Sequence, residues 1–219
     1  MFAIAAVSTL ATAGCMKPTP IVLRYLPDPA AHSAGRFFAA KVAVTTSQSP
    51  GVDARVGVIV DSGGAKTAIL QVVDINGQTA SVIAKALAES GLQPVMIGDV
   101  PASRQPPFGI DFMIMSGVNE LKCDKRFLPG RVPGTYRLSA SVVIKLELLN
   151  RDGVLAVVQG SSDLEEPPFG ANQATYKPAI TDPGKALSWA LSRAVRSALA
   201  DPALVAPLPQ HKIPSPAEN

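Results

Sequence analysis

Histidine is nearly missing from this chain, and its scarcity removes most familiar catalytic chemistry. Only two residues are His, and His32 and His211 both lie in irregular, proline-rich ends. The folded part thus lacks the base of Ser-His-Asp and Cys-His arrangements and the imidazoles of most zinc sites; no metal and no cofactor is expected. Cysteine is as scarce, with Cys15 and Cys123 alone. Aromatic residues make up 5% of the chain and the formal net charge is only +3. No basic stripe interleaves with aromatics, so nucleic acid is not an expected partner. The N-terminal apolar segment is about fourteen residues, short of the ~20 a bilayer-spanning helix needs.

What the chain does have begins at that segment. Residues 1–14, MFAIAAVSTLATAG, are uncharged and pass from apolar to small. They run into Thr12-Ala13-Gly14-Cys15 and then into the polar, proline-rich Met16-Lys17-Pro18-Thr19-Pro20. This is the shape of a bacterial lipoprotein signal, in which the cysteine thiol takes a diacylglycerol before cleavage. Two features depart from the pattern: no basic residue precedes the apolar run, and Thr12 stands where Leu is usual. The alternative is a soluble protein with an apolar N-terminus and a buried cysteine. Lipidation of Cys15 leaves Cys123 alone and allows no intramolecular disulfide. Two or three acyl chains anchor stably where one is marginal. Met16 is not the aspartate that retains many lipoproteins in the inner membrane, which favours the periplasmic face of the outer membrane.

Four segments follow from composition: a signal peptide at 1–14, a Pro-rich tether at 15–35, one domain at 36–201, and a disordered Pro-rich tail at 202–219. Within the tether only Ile21 to Leu26 suits a short strand. Phe37 to Thr46, Gly51 to Val60 and Ala68 to Val73 read as strands. Ala80, Ile83, Ala84 and Leu87 recur at helical spacing, predicting a helix over 77–90 capped by Asn76 and ended by Gly91. Gln93 to Ile97 returns as a strand, and a proline-rich loop spans 98–109. Tyr136, Leu138, Ala140, Val142, Ile144, Leu146 and Leu148 alternate with Arg137, Ser139, Ser141, Lys145 and Glu147, one face dry and one wet. Asn150 to Gly153 is a hairpin turn, and Val154 to Gly160 returns beside it. Asp182 caps a last helix whose apolar stripe is Leu187, Ala190, Leu191, Ala194, Val195 and Ala198, with Pro183 in its first turn. The expected fold is α+β, a mostly antiparallel sheet with two helices on one face. Their Ala-rich stripes permit close approach to the sheet.

Candidate sites are few. Asp61, Asp74, Asp111, Glu120 and Asp124 sit near strand ends, but their spacing selects no catalytic pair, and solvated turn carboxylates account for them. Gly63-Gly64-Ala65-Lys66-Thr67 lacks both glycines that a phosphate loop places before its lysine. Cys123 lies among Lys122, Lys125 and Arg126, cations able to lower a thiol pKa; the alternative is an unpaired cysteine at a strand end. Lys122, Lys125, Arg126 and Arg131 also flank Phe127-Leu128-Pro129-Gly130. Apolar residues on a basic turn suit anionic lipid headgroups or an acidic protein face, against the plainer reading of a solvated hairpin end.

Three stretches carry a resemblance: Ala80 to Leu92 (ASVIAKALAESGL), Ile110 to Leu121 (IDFMIMSGVNEL) and the hairpin from Val142 to Val157. In this order they resemble the YajG-type family and the ABC-type transport auxiliary lipoproteins, small envelope proteins of Gram-negative bacteria. Asp111 is the one polar position shared, and no catalytic residue carries over. The resemblance implies a non-enzymatic envelope lipoprotein, bound to the membrane through Cys15 and to a transporter or a periplasm-spanning assembly. Two alternatives stand beside it: an assembly or secretion subunit that oligomerises through strand edges, and an enzyme using carboxylates alone.

Overall fold

The computed structural model describes residues 16, 18–27, 40–46, 52–129, 134–168, 172 and 179–208. Cys15, Arg131 and the chain beyond 208 lie outside them. The spine of the fold is one long strand, β6 (Phe112–Phe127). Along one edge it pairs antiparallel with β7 (Tyr136–Asn150), which pairs antiparallel with β8 (Gly153–Glu166). The sequence supports the second hairpin directly. Asn150 accepts through Oδ1 from the backbone N–H groups of Asp152 and Gly153, and Gly153 takes φ 136°, a conformation costly for a residue with a Cβ.

The other edge of β6 is shared. Its first residues pair parallel with β2 (Lys41–Val44), which continues parallel to β5 (Gln93–Met96). Its last residues pair parallel with β3 (Arg55–Val60), which turns antiparallel into β4 (Lys66–Val72), and β4 pairs parallel with β1 (Pro18–Ile21). The sheet is therefore mixed, and the expectation of a mostly antiparallel sheet is corrected. Periodicity fixed which face each strand buries. It carries no information on the direction of a distant partner, and the parallel pairings all join strands far apart in sequence.

Two principal helices cover one face: α1 (Ile75–Glu89) and α2 (Pro183–Leu199). The cap of α1 is Asp74, two residues earlier than Asn76; its side chain accepts from Gly77 N–H. Asp182 caps α2 by accepting from Lys185 N–H. The shared core takes Leu138, Val142, Ile144, Leu146 and Leu148 from β7, all at 0% exposure, and meets the alanines 186, 190, 194 and 198 of α2, also at 0%. Gly160 on β8 lets α2 lie backbone to backbone: a Cβ there would stand 2.0 Å from the Ala194 carbonyl oxygen.

Among the described residues the second face is covered at one end only. Ala43, Met113, Met115 and Leu149 form a small cluster there under Ile97, Val100 and Ile110 of the loop at 97–111. Both boundaries drawn from composition also shift. Pro18–Ile21, inside the expected tether, is a strand of the sheet. Pro202–Val205 forms a short helix, α3, and Leu204 and Leu208 are buried, so the folded domain continues through 208.

Candidate functional site

The segment that follows β1 is tied to both principal helices at several points. After β1 the chain crosses α2, and its backbone groups are taken up by side chains of the two helices. Leu23 N–H donates to Gln78 Oε1, Arg24 N–H to Ser188 Oγ at 3.0 Å, and Leu26 N–H to Ser192 Oγ at 2.9 Å. Arg196 donates to the Leu26 carbonyl at 2.7 Å and to the Tyr25 hydroxyl, which donates to Glu89. Burial, and then the hydrogen bond to Glu89, raise the Tyr25 pKa above its ordinary value. Ser188, Ser192 and Arg196 fall outside the apolar stripe of α2, yet Ser188 and Ser192 are buried. Their i, i+4 spacing is the one sequence signal for this strip.

At the basic hairpin, the strand runs through Lys122, Lys125, Arg126 and Phe127, so these residues alternate between faces. Lys122 pairs with Glu120 at 3.1 Å and Arg126 with Asp124 at 3.8 Å. On the same open face Arg137 pairs with Glu165, and Lys145 and Arg104 both pair with Glu147. Such exposed pairs add little stability each, but they leave the face close to balanced in charge. Lys125 turns the other way. Its Nζ lies 4.4 Å from the Tyr136 ring centre and 5.4 Å from that of Phe127, and it donates to Thr181 O at 2.8 Å. It therefore ties β6 to the entry of α2. Phe127 meets Tyr136 edge to face, and Leu128 N–H donates to Thr135 O.

Cys123 is 1% exposed in the core. Burial, followed by the carboxylates of Asp124 and Asp182, pushes its thiol up to about 12. Its Sγ lies 3.6 Å from Pro183 O. Lys122 and Arg126 turn to the open face and Lys125 offsets the rise only in part, so of the two readings of this cysteine the unpaired, unreactive one fits. The five carboxylates are dispersed, and four of them hold structure: Asp61 accepts from Gly63 and Ala65 N–H, Asp74 caps α1, Asp124 accepts from Val58 N–H, and Glu120 pairs with Lys122. Asp111 opens β6 at the opposite end from Asp124. Among the described residues no three His, Cys, Asp or Glu side chains are grouped to hold a metal, and no helix is long and apolar enough to cross a membrane.

Two concavities are lined by described residues. One, about 490 Å³, lies between β1 and the start of α2, lined among others by Thr19, Ile21, Arg24, Asp182 and Lys185. The other, about 450 Å³, is an open groove lined among others by Lys122, Ser139, Ser141, Asp163 and Leu164. A feature the sequence did not single out is Phe108, 97% exposed at the far end of the sheet. Its loop is pinned by Arg104 to Glu147 at 2.8 Å and by Gln105 to Arg151 O at 3.0 Å. The unbroken apolar run Phe112 to Met115 was the signal that both faces of β6 are covered here.

No protein-family model and no characterised protein matches the sequence. Solved structures similar to this chain include a Xanthomonas campestris protein of the DUF330 family, 11% identical over 82% of this chain and 88% of that one, with a TM-score of 0.43. Lipoprotein GNA1162 from Neisseria meningitidis is 15% identical over 61% and 88%, with a TM-score of 0.33. A minor lipoprotein from Acinetobacter baumannii is 10% identical over 80% and 97%, with a TM-score of 0.31. Likenesses this distant assign neither family nor activity, and membership of the YajG-type family does not follow from them.

Proposed function

We propose that this protein is a lipid-anchored component of the bacterial cell envelope that works by binding rather than by catalysis. Cys15 carries the lipid, and the domain faces the periplasm, from the outer membrane in preference to the inner. Its role is that of an accessory to transport or envelope maintenance, with an envelope protein as partner. The observation that carries this reading is the junction at the N-terminus. Thr12-Ala13-Gly14-Cys15 leads, after two residues, into a strand built into the sheet, and the following residues are bonded to both helices. A lipid at Cys15 is thereby coupled to the fold itself. Its chemistry supports a binding role: the thiol of Cys123 is buried and protonated, and the carboxylates near strand ends serve turns, caps and ion pairs.

The test is incorporation of an alkyne-labelled palmitate in cells producing the wild-type protein or Cys15→Ala. Label in the wild type alone, with that protein sedimenting in the membrane fraction, supports the reading. Unlabelled full-length protein in the cytosol refutes it. A second reading rests on β8, fourteen residues long and, among the described residues, hydrogen-bonded only to β7, with Val154, Leu155 and Val157 exposed near its start. Such an edge can pair between subunits. Light scattering on the lipid-free domain separates the two: a closed ring favours assembly, a monomer the accessory role.

A further inference from the structure

The strand directions decide which end of the molecule a lipid on Cys15 would hold against the membrane. β1 runs parallel to β4, with Pro18 opposite Ile69. β4 runs against β3, and β3 runs with β6, placing Val60 opposite Arg126. The chain therefore enters β1 from the end of the sheet that carries the β3–β4 turn and the last residues of β6. Only Met16 and Lys17 separate Cys15 from Pro18. Three residue steps span at most about 11 Å, no more than the run of β4 from Lys66 to Ile69. β6 itself is sixteen residues long, or about 50 Å at a strand's rise, so the two ends of the sheet cannot both lie near the anchor.

We propose that the end of the sheet formed by the β3–β4 turn, Ser62 to Lys66, and by Arg126, Phe127 and Leu128 rests on phospholipid headgroups, with Phe108 directed away from the membrane. This inference rests on lipidation of Cys15. The surface suits the partner. Ser62, Gly63, Gly64, Ala65 and Lys66 are all exposed, and the turn is held by Asp61, whose Oδ1 accepts from Gly63 and Ala65 N–H while its own N–H donates to Ala65 O. Lys66 and Arg126 offer cations at headgroup depth, and the half-buried Phe127 and Leu128 offer apolar surface beside them. Pairing of β1 with β4 brings the sheet to within two residues of the anchor, and docking of residues 22–26 on α2 secures the far end of β1.

The test places an environment-sensitive fluorophore on Ser62→Cys or on Phe108→Cys in the intact protein. Cys123 is buried, and Cys15 is occupied by lipid when anchored. Each protein is purified from membranes, checked by mass spectrometry for the acyl modification, and reconstituted into phosphatidylethanolamine/phosphatidylglycerol vesicles doped with a headgroup-region spin-labelled lipid. Several-fold stronger quenching at position 62 than at 108 is expected. A Gly/Ser spacer of about a dozen residues inserted after Met16 should abolish that difference, because a flexible chain of that length frees the domain to turn. Equal quenching at the two positions without the spacer, stronger quenching at 108, or none at either in acylated protein overturns the orientation while leaving the anchor intact. Absence of acyl mass on Cys15 overturns the lipoprotein reading instead, and the orientation falls with it.

Discussion

Replacing Gly160 with Ala tests the contact on which the two layers of this fold depend. The added Cβ would lie 2.0 Å from the carbonyl oxygen of Ala194, 2.9 Å from its carbon and 3.0 Å from Ala198 Cβ. Ordinary contact begins at 3.4 Å, so α2 or β8 must move by well over an ångström at this point. No rotamer change relieves a clash with backbone. Moving α2 disturbs its whole alanine stripe, and with it the serines that hold residues 24 and 26. Overpacking a tight core costs about 1–3 kcal/mol, occasionally more, and the backbone partner puts this site at the upper end. The opposing gain, from a less flexible unfolded chain, is about 0.4–1 kcal/mol. A net loss of about 2–3 kcal/mol corresponds to a fall in Tm of roughly 4–12 °C for a domain of this size. Urea unfolding followed by circular dichroism should show a lower midpoint at unchanged slope. Gly98→Ala, where a Cβ meets nothing within 4 Å, is the control and should stay within about 0.5 kcal/mol. A Gly160→Ala protein as stable as its Gly98→Ala counterpart would refute backbone-to-backbone packing of α2 on β8.

Removing both hydroxyls of the docking strip, Ser188→Ala with Ser192→Ala, leaves the Arg24 and Leu26 amides without partners, at a cost of about 1–3 kcal/mol each where they are buried. Amide exchange at 24 and 26 should accelerate while the β7–β8 hairpin keeps its protection; unchanged exchange at those two positions would show that the strip does not hold the segment. In a Cys15→Ser background, Cys123 should resist a thiol reagent at pH 8 in the native protein and react fully in guanidinium. Because folding raises its pKa from 9.0 to about 12, its contribution to stability is intact below about pH 9 and is lost as the pH rises toward 12. Cys123→Ala should flatten that alkaline decline, and an unchanged decline would assign it to other groups, Tyr25 and Tyr136 among them.

Local pattern carried the elements that local physics controls. The alternation from Tyr136 to Leu148 placed the inward residues of β7 because successive side chains of a strand point to opposite faces. The alanines of α2 announced close packing, and Asp182 with Pro183 marked its start. What the pattern missed depends on contacts distant in sequence. Ser188 and Ser192 resemble solvated positions until residues 22–26 lie over them. Cys123 has cations beside it in sequence, but only its place on β6 shows that the thiol faces the core, with Lys122 and Arg126 turned to the open face.

The alternation of the long hairpin and the two amphipathic helices are legible in the sequence, since each is written in residues next to or one turn from one another; the short spacing between Cys15 and the first strand is not, because Pro18 to Ile21 pairs only with the distant β4. Only the tertiary structure decided that the sheet is mixed, that β2 and β3 share one edge of β6, and that the chain reaches β1 from the end where Lys66 and Arg126 stand. Strand direction and partner choice are set by which apolar faces can be buried together, a property of the assembled core that no single segment contains.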